Sequence, residues 1–262
     1  MKVGDTFSLK NQVAVVTGGA THLGQAMATA LGELAASVVI ASRRKELCRQ
    51  VAKEMVDEGI DCLGQGCDVT NEEEVEALLD EVIRKYGRID VMVSNAGGSA
   101  TTSYLPNASI DEFTRTWETN VKSTYLCAQA ASRHMIPKGK GKIITVGSIH
   151  GTMSADKRFY EDLDFMRSGP PYQSAKGGVI QLTRALATEL GEHGITVNCI
   201  SPGQIPKPET DPEMVERCRN KIPLGRTGRP EDLKGAVALL ASSAGDWITG
   251  QNLIVDGGWS IC

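Results

Sequence analysis

Tyr172 and Lys176 stand four positions apart in Tyr172-Gln173-Ser174-Ala175-Lys176, a spacing that puts both on one face of a helix. A free phenol titrates at about 10, too high for an efficient base at neutral pH. An ammonium one turn away favours the phenolate, and in the reverse direction the same phenol gives its proton to a forming alkoxide. Ser148 ends the run Ile143-Ile144-Thr145-Val146-Gly147-Ser148, where a hydroxyl can donate to developing oxyanion charge. A Tyr–Lys pair alone is a frequent accident of helical sequence, so its weight depends on what surrounds it.

A second group of residues could hold a ligand. Thr17-Gly18-Gly19-Ala20-Thr21-His22-Leu23-Gly24 lies between a short apolar run and an alanine-rich segment. Glycines between a strand and a helix let the backbone approach a pyrophosphate at the helix N-terminus, although a tight turn that binds nothing has the same outline. The next run ends Val39-Ile40-Ala41-Ser42-Arg43-Arg44. An acid at Ser42 would grip ribose hydroxyls and repel a 2′-phosphate; a serine and two guanidinium groups favour the phosphate instead. The expected cofactor is therefore NADP, with NAD as the alternative.

These residues need a scaffold. Apolar β-branched runs at Val13–Val16, Ser37–Ala41, Cys62–Cys67, Val91–Ser94, Lys142–Val146, Thr196–Ile200 and Asn252–Val255 alternate with helix-period segments. Apolar on both faces, they read as parallel strands covered by helices on both sides. Thr70-Asn71-Glu72-Glu73 predicts a capping box opening a helix to about Tyr86, stopped by Gly87. Ser109-Ile110-Asp111-Glu112 predicts a second, opening a long helix to about Met135, and Pro230 starts another. Repeated βα units give a doubly wound parallel α/β sheet of about seven strands in one domain over residues 1–262, with ligands at the strands' carboxyl ends. Two stretches break the rhythm: an insertion at about 151–170, and a proline-rich loop at about 203–223. Both follow predicted strands, and long loops in compact domains are often functional.

Composition excludes other classes. With 28 Lys and Arg against 32 Asp and Glu, no surplus of cations is left for a nucleic-acid partner. No apolar run reaches membrane-spanning length, and Met1–Lys10 lacks the apolar core of a signal peptide. Seven cysteines, an odd number with no CxxC pair, fit small buried thiols in a reduced cytoplasmic protein without a metal site.

Several motifs in order resemble the short-chain dehydrogenase/reductase family, and the resemblance covers essentially the whole chain. Gly18 and Gly24 match the outer glycines of T-G-x-x-x-G-x-G, while His22 stands where that pattern has its middle glycine. The resemblance implies a Rossmann-type fold and assigns Gly18, Thr21, His22 and Leu23 to the cofactor's phosphates, and Ser42 and Arg43 to its ribose end. It places Asp68 and Val69 at the adenine. Asn95-Ala96-Gly97 match the family's N-A-G turn, Ser201-Pro202-Gly203 the turn near the nicotinamide, and Asp256-Gly257-Gly258 a C-terminal turn. It implies a catalytic tetrad of Asn120, Ser148, Tyr172 and Lys176. Asn120 would bend its helix and hold a water leading to the lysine; Tyr172 and Lys176 would also touch the cofactor. Ser148, Tyr172 and His150 would face the substrate, with Arg158 as partner to a carboxylate or merely a surface residue. Lys207 stands where members often carry a threonine.

The implied reaction interconverts a secondary alcohol and a ketone by hydride transfer, with the opening segment most similar to gluconate 5-dehydrogenases and related sugar-acid or polyol enzymes. The alternatives are a 3-oxoacyl-thioester reductase and a catalytically idle NADP-binding sensor or scaffold. The family also implies a homotetramer paired through the long helices, about Asp111–Met135 and Tyr172–Gly191. Val179, Leu182, Leu186 and Leu190 form an apolar row that meets a partner or faces its own sheet; Ala128, Ala130 and Ala131 are small enough for close helix approach. Trp259 and Ile261 are expected under a neighbouring subunit.

Overall fold

The computed structural model describes residues 2–99, 102–163 and 166–262. After a short helix α1 (Val3–Thr6), the chain alternates β1 (Val13–Thr17), α2 (His22–Glu33), β2 (Ser37–Ser42), α3 (Lys45–Asp57), β3 (Cys62–Gly66), α4 (Glu72–Tyr86) and β4 (Val91–Ser94). The second half runs α5 (Ile110–Trp117), a π-helical turn (Glu118–Lys122), α6 (Ser123–Met135), β5 (Gly141–Val146), α7 (Pro170–Leu190), β6 (Ile195–Pro202), α8 (Pro212–Lys221), α9 (Lys234–Ala241) and β7 (Asn252–Val255). The strands make one parallel sheet in the order β3-β2-β1-β4-β5-β6-β7. Strand order reverses between β1 and β4, which leaves a crevice at their carboxyl ends.

β1, β4 and β5 are buried along their whole length, and β2 is buried except at its ends. One apolar cluster, with Val16, Met27 and Ile40, fills one face of the sheet; a second, with Val15, Leu79 and Met92, fills the other. The two edge strands depart from the expected two-sided burial. β3 alternates, and β7 is half-buried with Ile254 exposed.

Local sequence explains most boundaries. Asn71, one residue later than expected, caps α4 by accepting from the Glu74 N–H at 3.2 Å, and Gly87 ends the helix in the left-handed conformation. Such a cap is worth about 1 kcal/mol. Ser109 caps α5 as expected, but Glu112 does not reach back to it. The Glu112 carboxylate accepts from the N–H (3.1 Å) and hydroxyl (2.7 Å) of Thr102 instead.

The long helix expected from Ser109 to Met135 is interrupted by the π-helical turn. Thr116, Thr119, Asn120, Ser123 and Thr124 each donate a side-chain hydrogen bond to the carbonyl four residues earlier. These bonds compete with the backbone ladder and bend the helix.

Leu186 and Leu190 of the apolar row of α7 belong to the cluster on the chain's own sheet, Leu182 packs against that cluster, and Val179 is fully buried within the chain. Ala128, Ala130 and Ala131 are buried within the same chain. Trp259 is only 2% exposed without any partner subunit, which corrects the expectation that a neighbour covers it; Ile261 is exposed. The indole packs edge-on against Phe159 at 5.1 Å, in a third cluster with Ile149, Tyr160, Met214, Cys218 and Ile222. That cluster joins the insertion, α8 and the C-terminal segment. Asp164 and Phe165 of the insertion lie outside the described residues.

Candidate active site

The crevice at the switch point is a cavity of about 480 Å³. The loop between β1 and α2 forms one wall. Gly18 has φ +65°, and a β-carbon on Gly24 would lie 2.1 Å from the Gly18 carbonyl oxygen, so only glycine lets α2 start this close to the loop. Thr21 occupies the position before α2, yet its hydroxyl makes no capping bond. Thr21 therefore leaves the first-turn N–H groups of α2 uncapped where His22, Leu23 and Gly24 line the cavity. His22 has φ +49°, as expected where a glycine is usual, at a cost of about 1 kcal/mol for a residue with a β-carbon.

Opposite this loop, Thr17 ties β1 to the Asn95-Ala96-Gly97 turn. Its Oγ1 accepts from the N–H groups of Asn95 (3.1 Å) and Ala96 (3.2 Å), and Asn95 Nδ2 donates to the Thr17 carbonyl at 2.9 Å. At the far end, Ser42 is half-buried and Arg43 and Arg44 are exposed; all three line the cavity. Neither arginine has a carboxylate within ion-pair distance among the described residues. Asp68 and Val69 line the same end. Hydrogen bonds from the Thr70 N–H (3.0 Å) and hydroxyl (2.7 Å) hold the Asp68 carboxyl below its ordinary range, and Arg43 adds to the effect. Pro202, Gly203 and Lys207 close the other side.

Ser148, Tyr172 and Lys176 meet at the inner end of the cavity. The Lys176 Nζ lies 5.7 Å from the centre of the Tyr172 ring and donates to the Val146 carbonyl at 2.8 Å. Burial pulls the Lys176 ammonium down from 10.5 to about 8. Burial pushes the Tyr172 phenol up, and the Ser148 hydroxyl against it pulls the other way. Ser148 Oγ accepts the His150 N–H at 3.1 Å, which leaves the serine's own hydrogen for the Tyr172 oxygen or an oxygen placed beside it.

Asn120 lies behind the cavity wall, in the π-helical turn. Its Nδ2 donates to the carbonyls of Gly98 (2.9 Å) and Thr116 (2.8 Å), and its Oδ1 accepts the Gly98 N–H at 3.1 Å. A β-carbon on Gly97 would fall 2.6 Å from that Oδ1 and 3.4 Å from the Lys176 Nζ.

Two sequence expectations are redirected. His150 does not line this cavity: its ring is buried, its Nδ1 has no hydrogen-bond partner among the described residues, and burial lowers its pKa. It reaches the site only through its backbone N–H. Arg158 is turned to solvent and held by Asp156 at 2.9 and 3.2 Å, so its charge is engaged on the surface. Sequence reading missed the Val146 carbonyl and Gly98, which act through backbone atoms and so leave no residue-type signal.

A parallel sheet of this order with a glycine-lined crevice at its switch point defines a nucleotide-binding α/β protein. The family profile described as enoyl-(acyl carrier protein) reductase matches residues 18–260. The gluconate 5-dehydrogenase of Gluconobacter oxydans is 32% identical, covering 98% of this chain and 98% of that one. The crystal structure of a short-chain type dehydrogenase/reductase from Mycobacterium marinum is 36% identical with a TM-score of 0.88, covering 99% of each chain. That of a gluconate 5-dehydrogenase from Burkholderia cenocepacia, in complex with NADP and tartrate, is 30% identical with a TM-score of 0.89 over 100% of both. The chain belongs to the short-chain dehydrogenase/reductase family and is an NAD(P)-dependent oxidoreductase.

Proposed function

We propose that the protein interconverts a secondary alcohol and a ketone with NADP, using Tyr172 as the proton donor and acceptor. The observation that carries this reading is the meeting of Ser148, Tyr172 and Lys176 at the end of a cavity whose far end bears two arginines with no ion-pair partner among the described residues. The bound nicotinamide nucleotide supplies or accepts the hydride. Ser148 donates to the substrate oxygen, and Tyr172 delivers or removes its proton. Lys176, fixed by the Val146 carbonyl, supplies positive charge beside the phenol. Because burial raises the phenol's pKa, the free chain rests with Tyr172 protonated, the form that acts as an acid in ketone reduction.

The donor set fits a dinucleotide. Gly18, Thr21, His22 and Leu23 would hold its phosphates, Arg43 a 2′-phosphate, Asp68 and Val69 the adenine, and Asn95, Ala96, Gly97, Pro202 and Gly203 the nicotinamide half. For substrate we favour a sugar acid or polyol, supported by the similarity to gluconate 5-dehydrogenases. A carrier-protein partner for the 3-oxoacyl-thioester alternative would call for a basic patch by the cleft; of Arg226, Arg229 and Lys234, which offer a thin one, Arg226 pairs with Asp232 and Lys234 with Glu33, each at 2.7 Å, so that alternative loses support. We place the protein in the cytoplasm as a homotetramer. Six of its seven unpaired cysteines are buried, and no helix among the described residues is long and apolar enough to cross a membrane. Ile110, Phe113 and Tyr125 give α5 and α6 an exposed apolar row.

The test is to follow nicotinamide absorbance with NADPH or NADP against a panel of hexonates, polyols, steroids and acyl thioesters. On the substrate found, Tyr172→Phe should abolish turnover and leave nucleotide affinity nearly unchanged. Retained activity in that variant would remove the tetrad assignment.

A further inference from the structure

Four described non-glycine residues have positive φ: Asn11, His22, Ala35 and Asp162. Of these, only His22 lines the cavity. A glycine would adopt φ +49° freely, so the backbone gains nothing from a histidine there; what the position keeps is the side chain. The His22 ring crosses to the loop after β6, where Nε2 lies 3.4 Å from the Pro206 carbonyl oxygen. A carbonyl only accepts, so Nε2 carries the hydrogen.

That carbonyl belongs to the peptide bond leading into Lys207. The Lys207 N–H donates to Thr210 Oγ1 and its carbonyl accepts the Thr210 N–H, both at 3.0 Å, closing a tight turn between Pro206 and Thr210. The main chain at Lys207 is thus pinned from two sides. Its side chain is not: it is 63% exposed, and the carboxylate paired with it, Glu209, is 3.9 Å away. Lys207 lines the same cavity as the uncapped start of α2.

We propose that Lys207 is a binding residue for the diphosphate of the dinucleotide, and that His22 is the positioning residue holding its loop above the α2 N-terminus. The proposal rests on the dinucleotide reading of the cavity. An anion at the start of α2 meets backbone N–H groups, and Lys207 lines the same cavity on the loop that His22 contacts; the ammonium's flexible stem lets it reach a phosphate without moving the pinned backbone. The two departures from the family pattern in this region, His22 and Lys207, then form one device.

The experiment measures NADPH binding by fluorescence titration at two salt concentrations, with 2′-AMP as a ligand lacking the diphosphate. Lys207→Ala should weaken NADPH about tenfold, equivalent to about 1.4 kcal/mol, flatten the salt dependence and leave 2′-AMP unaffected. Lys207→Arg should restore most of the affinity. His22→Gly should weaken NADPH about threefold while keeping or raising the melting temperature of the free protein, the opposite of what a purely structural contact would do. Amide hydrogen exchange at Lys207 and Thr210 should slow with NADPH in the wild type and less so in His22→Gly. A wild type that binds NADPH and a Lys207→Ala variant equal to it overturn the diphosphate role; unchanged affinity and loop exchange in His22→Gly overturn the positioning role. A wild type that binds neither NADPH nor NADH overturns the dinucleotide reading itself, and this proposal with it.

Discussion

Asn120 and Gly98 hold each other by two hydrogen bonds, the amide Nδ2 donating to the glycine carbonyl at 2.9 Å and the glycine N–H donating to Oδ1 at 3.1 Å. Through this exchange the π-helical turn fixes the backbone beside Lys176. The Asn120 amide is engaged with protein atoms on both ends.

Asn120→Ala removes three hydrogen bonds at once. Buried groups left without partners cost about 1–3 kcal/mol. We expect a loss of about 2–3 kcal/mol in urea unfolding, together with weaker nucleotide binding as the 97–98 backbone loosens. An unfolding midpoint equal to wild type would show that the exchange carries no stability.

Lys176 predicts an unusual pH dependence of stability. Its folded pKa of about 8 lies below the unfolded 10.5, so between those values the unfolded chain binds more protons. The buried charge opposes folding below pH 8, and this opposition fades as pH rises toward 10.5, a gain of about 3 kcal/mol at full relief. Unfolding free energies of wild type and Lys176→Met at pH 7.5 and pH 9.5 measure it: the variant's advantage should shrink at the higher pH. Parallel pH profiles would contradict the lowered pKa.

Cofactor choice should follow the end of β2. Ser42 Oγ accepts the Arg44 N–H at 3.2 Å, an arrangement that an aspartate can reproduce while adding negative charge. Ser42→Asp with Arg43→Leu should swing preference from NADPH toward NADH, measured as the ratio of dissociation constants. A wild type that prefers NADH by about tenfold, about 1.4 kcal/mol, contradicts the 2′-phosphate assignment.

Trp259 is a core residue of its own chain, so its truncation should lower stability before it disturbs assembly. Trp259→Ala empties the space beside Phe159 and should cost about 3–5 kcal/mol. Thermal unfolding and light scattering on the same sample separate the two effects. An unchanged melting temperature with a smaller particle would restore the interface role that the sequence suggested.

These outcomes mark where sequence was readable. The seven strands, the glycine loop and the Tyr172–Lys176 spacing were legible because each rests on local periodicity or chain-adjacent residues. The break at Glu118–Lys122 had a visible cause, five Ser, Thr and Asn side chains within nine positions, but its form depends on which carbonyls they take. His150 and Trp259 were misplaced because their surroundings come from the insertion and α8, segments whose path is set by long-range packing rather than by pattern.

The cluster around Trp259 shares no residue with the two that cover the faces of the sheet. A block of side chains bound chiefly to itself is a separate cooperative unit with its own opening energy. Ile149, Tyr160, Cys218 and Trp259 come from segments beyond the ends of β5, β6 and β7, so they let go together and reseat together. A block packed in this way opens with its own free energy, and the sheet that carries the crevice need not open with it.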